Sequence, residues 1–136
     1  MALREEKIRV LLCKHWMDGH DRGLKYVATK LRGWGFEVIY ILFRTPKDIV
    51  ATAIAEDVDA IGISSLTGAH MSHAIELKKL LREKNLEHIP ITIGGIIPTK
   101  DERELLKMGI AGVFSSGSDI EGLQDLIRSK TKVHPE

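Results

Sequence analysis

The sequence predicts an α/β fold in which a five-stranded parallel sheet carries helices on both faces, and three observations predict it. Five apolar runs are short enough to be buried strands, helical patterns alternate with them, and glycine and proline stand where helices begin and end. The strands are read at "IRVLLC" (8–13), "EVIYIL" (37–42), "AIGIS" (60–64), "ITIGG" (91–95) and "GVFS" (112–115). Helices are predicted over roughly 22–33, 46–56, 71–84, 99–108 and 119–130; in the third, Ile75, Leu77, Leu80 and Leu81 are spaced for one apolar face. Pro46 and Pro98 sit at or just before helix starts, Gly35 and Gly109 just after helix ends, and Asp119 is placed to cap the last helix. Strict strand–helix alternation with short connections implies right-handed crossovers. The simplest arrangement is flavodoxin-like (Rossmann-type), with strand order 2-1-3-4-5.

The bulk properties narrow the partners. A chain of 136 residues, 43% hydrophobic, suffices for one domain with a real core, read here as residues 1–136 with its core over about 7–130 and a frayed tail at 131–136. Twenty Lys and Arg against nineteen Asp and Glu leave a formal charge of +1, with no basic block interleaved with aromatics, so neither nucleic acid nor an anionic membrane is expected as a partner. The start, "MALREEKIRV", is charged where a secretory signal needs an apolar core, and no run approaches the roughly 20 apolar residues of a membrane span. A cytoplasmic protein is expected. The single cysteine, Cys13, lies inside an apolar run and is expected to be a buried core thiol.

In this fold class ligands bind beyond the carboxyl ends of the strands, near the switch between strands 1 and 3. The loops at that edge are "KHWMDGHDRG", "SSLTGAH", "GGIIP" and "SSGSD". Three of them are rich in Gly and Ser, which permit close backbone approach and offer hydroxyls without bulk. Several familiar readings fail on position. Neither G-x-G-x-x-G nor G-x-x-x-x-G-K-[ST] occurs. A receiver domain wants an acceptor Asp after strand 3, where this chain has Ser64, Ser65 and Leu66, and a flavodoxin wants a hydroxyl-rich phosphate loop after strand 1.

What remains is Asp18-x-His20-x-x-Gly23, with Ser64-x-Leu66-x-Gly68 after strand 3 and Gly94-Gly95 at the end of strand 4. Together with "RTPKDIVATAIAEDVDAIGISSLTGAHM", "GGIIP" and "LLKMGIAGVF", this combination resembles the cobalamin-binding small subunit or C-terminal domain of methylmalonyl-CoA mutase-type, adenosylcobalamin-dependent acyl-CoA mutases, over about residues 7–128. The residue types suit the task. A neutral imidazole is a good borderline ligand for cobalt, and a metal-bound histidine is normally oriented by an acceptor on its other nitrogen. Asp18 can be that acceptor for His20, with Lys14 a partner for its carboxylate.

The resemblance implies that His20 replaces the cofactor's own dimethylbenzimidazole as lower axial ligand of cobalt, while Lys14 and Asp18 tune it; these three form the implied catalytic set. It implies that the displaced nucleotide tail enters a slot between the sheet and the first helix, where Gly23, Gly68, Gly94 and Gly95 leave space. Ser64 would hydrogen-bond the benzimidazole and Leu66 would pack on it. Gly19, Asp21 and Arg22 beside the axial histidine, and Phe114, Gly117 and Ser118 at the strand-5 end, complete the implied cofactor-binding set. The chain departs from the family pattern in two places. His15-Trp16-Met17 stand where small residues are usual, leaving Trp16 as a partner contact, a corrin-edge contact or a cover for the loop; "SSGSD" lacks the proline and threonine of the common P-G-T pattern. His15, His70 and His73 are read as polar surface groups, His70 lying close enough to the ligand loop to reach cofactor or partner.

The implied activity is a radical carbon-skeleton isomerisation. A chain of 136 residues has no room for the roughly 250-residue (β/α)8 barrel that would hold an acyl-CoA, so a large barrel subunit is the expected partner and carries most substrate contacts. Substrates of the methylmalonyl-CoA or 2-hydroxyisobutyryl-CoA type both fit. A glutamate mutase small subunit shares the signature and is the alternative within mutases. A corrinoid methyl carrier or cobalamin sensor is the alternative outside them, although those generally carry a helical bundle ahead of the first strand.

Overall fold

The computed structural model describes residues 7–19, 22–65, 68–115 and 120–131. The chain runs β1 (Arg9–His15), α1 (Arg22–Gly33), β2 (Glu37–Phe43), α2 (Pro46–Glu56), β3 (Ala60–Ser65), α3 (His70–Glu83), β4 (Ile91–Gly95), α4 (Thr99–Lys107), β5 (Gly112–Ser115) and α5 (Ile120–Thr131). All strand pairs are parallel and the order is β2-β1-β3-β4-β5, as expected. Asp119, expected to cap α5, lies outside the described residues, as does the end of the chain from 132.

Local chemistry sets the element ends. Pro46 opens α2, and the Asp48 carboxylate accepts from the Arg44 backbone N–H at 2.8 Å, holding the first turn. Gly35 and Gly109 follow α1 and α4 with φ of 98° and 101°, the left-handed conformation that lets the chain leave a helix without a Cβ clash.

Side chains alternate across the sheet, and its two faces differ in kind. Odd-numbered positions, among them Leu11, Cys13, Ile61, Ile63, Ile91 and Ile93, form a large core with α2, α3 and α4. Even-numbered positions, Val10, Leu12 and Ala60, pack with α1 and α5 in a smaller one. Cys13 is fully buried as expected, and burial pushes its thiol pKa up. The expected α3 face needs one correction. Ile75 is 54% exposed, and the helix buries Ala74, Leu77 and Leu81 instead. Two residues turn the helix about 200°, so Ile75 and Leu77 cannot share a face, and the small Ala74 takes the inner position.

Candidate functional site

The carboxyl end of β1 stays ordered past its apolar run because main-chain pairing continues through polar residues. Lys14 pairs with Leu42 on one side and Ser64 on the other, and His15 with Phe43. The Trp16 N–H then donates to the Phe43 carbonyl at 2.9 Å, and the Asp18 N–H to the His15 carbonyl at 2.9 Å, closing a tight turn. Alternation from Leu12 puts Lys14 on the α1/α5 face. Its Nζ donates to the Asp18 main-chain carbonyl at 2.5 Å, and both residues are buried, at 5% and 2% exposure. The lysine thus meets Asp18 through its main-chain carbonyl. An ammonium inside the fold demands acceptors, and a carbonyl at the end of a turn is one.

Small residues line the α1/α5 face of the central strands. On β3 the even-numbered positions are Ala60, Gly62 and Ser64 and on β4 Thr92 and Gly94; on the edge strand β5 they are Gly112 and the larger Phe114. Low in the sheet this smallness is filled: a Cβ at Gly62 would lie 2.9 Å from the Leu12 side chain, and one at Gly112 2.4 Å from Leu126 of α5. High in the sheet it is not. A Cβ at Gly94 would meet only the Phe114 carbonyl, at 3.3 Å, and one at Gly19, Gly23 or Gly68 would meet no atom within 4 Å among the described residues. Helix α1 packs on β1 and β2 and α5 on β5, so the upper small-residue face, Ser64 and Gly94, lies between them. The two helices are tied at the opposite end, where the Arg128 guanidinium donates to the Trp34 carbonyl at 3.0 Å and covers the Phe36 ring at 4.4 Å. These residues outline a trench between α1 and α5 that is filled at the level of Gly62 and Gly112 and, among the described residues, meets no side chain at Gly94.

The sequence-expected residues are distributed as follows. Lys14, Asp18, Gly19, Ser64, Gly68 and Gly94 gather at this one edge, with Gly23 and Arg22 opening α1 and Phe114 near the end of β5. His20, Asp21, Leu66, Gly117 and Ser118 lie outside the described residues. Gly95 has a second reason to be glycine. Its φ is 132°, and a Cβ would come 2.0 Å from the Ser65 carbonyl oxygen, so only a residue without a side chain lets β4 end against β3.

The histidines depart from the expected surface positions. His70, the first residue of α3, is 4% exposed, and its Nε2 lies 2.7 Å from the Asp101 carboxylate in the first turn of α4. Its Nδ1 is buried without a partner among the described residues, as is the Ser65 hydroxyl. His15 and His73 are half-buried and stack at 5.4 Å, with the Phe43 ring edge-on to both. Burial, then His15, lowers the His73 pKa. Trp16 is exposed beneath the Arg44 guanidinium, 4.8 Å from its ring, and Met17 beside it is exposed. Asp101 and Ser65 were not singled out from sequence; a carboxylate three residues after Pro98, in a first helical turn, was the available signal for Asp101.

Fold and loops together define a flavodoxin-like domain, a fold class in which ligands bind beyond the carboxyl ends of the strands, near the β1/β3 switch point. The B12 binding domain family matches residues 8–123, and the chain belongs to that family. The 2-hydroxyisobutanoyl-CoA mutase small subunit of Aquincola tertiaricarbonis is 42% identical over 123 residues, which make up 90% of this chain and 90% of that one. The methylmalonyl-CoA mutase large subunit of Propionibacterium freudenreichii subsp. shermanii is 41% identical over 113 residues, 82% of this chain but 16% of that one. Among solved structures, a cobalamin-binding protein from Desulfitobacterium hafniense DCB-2 shares the fold, with a TM-score of 0.75 at 20% identity over 90% of this chain and 59% of its own. In the described residues no helix is long and apolar enough to cross a membrane.

The residues present fit a cobalamin. Among the described residues no side chain stands against Gly94, no atom lies within 4 Å of a Cβ built at Gly19, Gly23 or Gly68, and the Ser65 hydroxyl is an orphaned buried polar atom at the same carboxyl edge.

Proposed function

We propose that this chain, as a single domain over residues 1–136, is the cobalamin-binding small subunit of a heteromeric, adenosylcobalamin-dependent acyl-CoA mutase of the cytoplasm. The observation that carries this reading is the trench at Ser64 and Gly94, open at the top beside a buried Lys14–Asp18 turn. A trench that needs no side chain to fill it suits a planar, elongated group such as the cofactor's nucleotide tail. The match to a mutase small subunit along 90% of both lengths supports the reading as a cobalamin-carrying subunit. The 2-hydroxyisobutyryl-CoA and methylmalonyl-CoA types are both supported by relatives, and both favour an acyl-CoA over glutamate.

Each residue then has a task. Lys14 fixes the Asp18 carbonyl, so the turn would hold Asp18 in place as the acceptor that orients His20, the residue that would bind the cobalt of the cofactor. Gly19, Asp21, Arg22 and Gly23 shape the segment after it. Ser64, Leu66, Gly68, Gly94 and Gly95 hold the tail, with Phe114, Gly117 and Ser118 at its far side. When bound, the cofactor supplies an organic radical by homolysis of its cobalt–carbon bond, while the protein contributes position and electrostatics. A barrel-bearing large subunit holds the acyl-CoA over the opposite face.

Titration with adenosylcobalamin, with and without candidate large subunits, tests this directly. The expected visible spectrum is that of the form whose benzimidazole has left cobalt and been replaced by histidine; its absence in every mixture would overturn the cofactor reading. His20→Ala is expected to weaken binding by about tenfold or more, since it removes a metal ligand outright. Equal affinity and an unchanged spectrum would remove His20 from its role.

A further inference from the structure

The His70–Asp101 contact is absent from the tasks just assigned, yet it joins the two loops at the mouth of the trench. Ser65 and Gly95 end paired strands, and the Gly95 position leaves no room for a Cβ against the Ser65 carbonyl. Five residues on from Ser65 and six on from Gly95, the chain is tied a second time, by His70 Nε2 and Asp101 Oδ2 at 2.7 Å. The two chain segments are therefore joined both where β3 and β4 end and where α3 and α4 begin. Ser64 and Gly94, whose small side chains form the open part of the trench, are register partners one residue before the lower tie.

The tie is built to hold a fixed length. His70 is 4% exposed and sits where α3 starts, so its imidazole is confined by packing. With Nε2 against the carboxylate, Nδ1 is buried without a partner among the described residues, and the Ser65 hydroxyl at the end of β3 is in the same condition. Polar atoms left so in a native interior ask for an explanation.

We propose that His70 and Asp101 are positioning residues for the nucleotide tail: by holding the starts of α3 and α4 together they fix how the chain leaves β3 and β4 beside Ser64 and Gly94, and so govern binding of the tail and not of the corrin ring. This rests on the cobalamin reading given above. It predicts a difference between two ligands that only the tail distinguishes.

The test compares binding of cobalamin with binding of cobinamide, the corrinoid that lacks the nucleotide tail, followed by visible absorbance on the full chain. His70→Ala is expected to raise the cobalamin Kd about tenfold, the scale of one hydrogen bond to a charged group, and to leave the cobinamide Kd within about twofold. Asp101→Asn keeps an oxygen that accepts from Nε2–H and should stay near wild type, whereas Asp101→Ala should reproduce His70→Ala; this pair carries the test if His70→Ala fails to fold. Equal weakening for both corrinoids, no weakening for either, or an Asp101→Asn protein as impaired as Asp101→Ala would each overturn the proposal. Wild-type protein that bound neither corrinoid would instead overturn the cobalamin reading on which it rests.

Discussion

The two faces of one sheet use the same strands for different ends. Facing α2, α3 and α4, β3 and β4 present Ile61, Ile63, Ile91 and Ile93, all nearly inaccessible and packed into one large cluster. Facing α1 and α5, the same strands present Ala60, Gly62, Ser64, Thr92 and Gly94. Apolar burial scales with area removed from water, so the isoleucine face contributes most of the stability and the small face contributes room. A fold can thus give up volume on one side for a ligand because the other side holds it together. The loops follow the division: Lys14, whose side chain reaches the Asp18 carbonyl, stands on the small face, while His70 and the His15–His73 pair stand with α3 on the apolar side.

The sharpest way to break this comparison is to swap the consequences. Ile93→Ala, at a position with no exposure, is expected to cost about 2–5 kcal/mol in urea unfolding, by lost burial and the cavity left behind. The fraction that stays folded should bind cobalamin with unchanged affinity. Ser64→Leu, at the half-buried register partner of Gly94, is expected to change stability by less than about 1 kcal/mol but to raise the cobalamin Kd by about tenfold or more, because the added side chain occupies the trench. If Ser64→Leu proved as destabilising as Ile93→Ala, the small face would be filled core. If it bound cobalamin normally, the trench would not be where the tail lies.

Much of this was legible in the sequence, for identifiable reasons. Period-two alternation and apolar run length suffice to locate buried strands, and β4 and β5 fall where their runs do. The first strand extends to His15, past the last apolar residue Cys13, because Lys14 and His15 remain paired through main-chain groups that side-chain polarity does not report. The site was legible as a gathering of loops, since topology alone brings the ends of β1, β3 and β4 to one edge. Its internal contacts were not. Lys14 binds a backbone carbonyl, which every residue possesses and no motif names. The His70–Asp101 contact spans 31 residues and exists only because α3 and α4 start side by side.

The smallest expected difference between the faces is in how they titrate. His73 belongs to the apolar side, and burial, together with His15 and His70, lowers its pKa while Glu76 acts in the opposite direction. A histidine whose folded pKa is depressed stays neutral in the fold while the unfolded chain takes up protons, so its stability contribution is present above the unfolded value, about 6.5, and is lost as pH falls through the folded one. The urea midpoint of the wild type is therefore expected to fall between about pH 7.5 and pH 5.5 by more than that of His73→Gln, which has no proton to exclude. Titrating groups remote from His73 act alike in the two proteins and cancel in the difference. Parallel curves would mean that the His15–His73 stack admits a proton without penalty, and that the apolar side of the sheet is as tolerant of charge as the trench that holds Lys14.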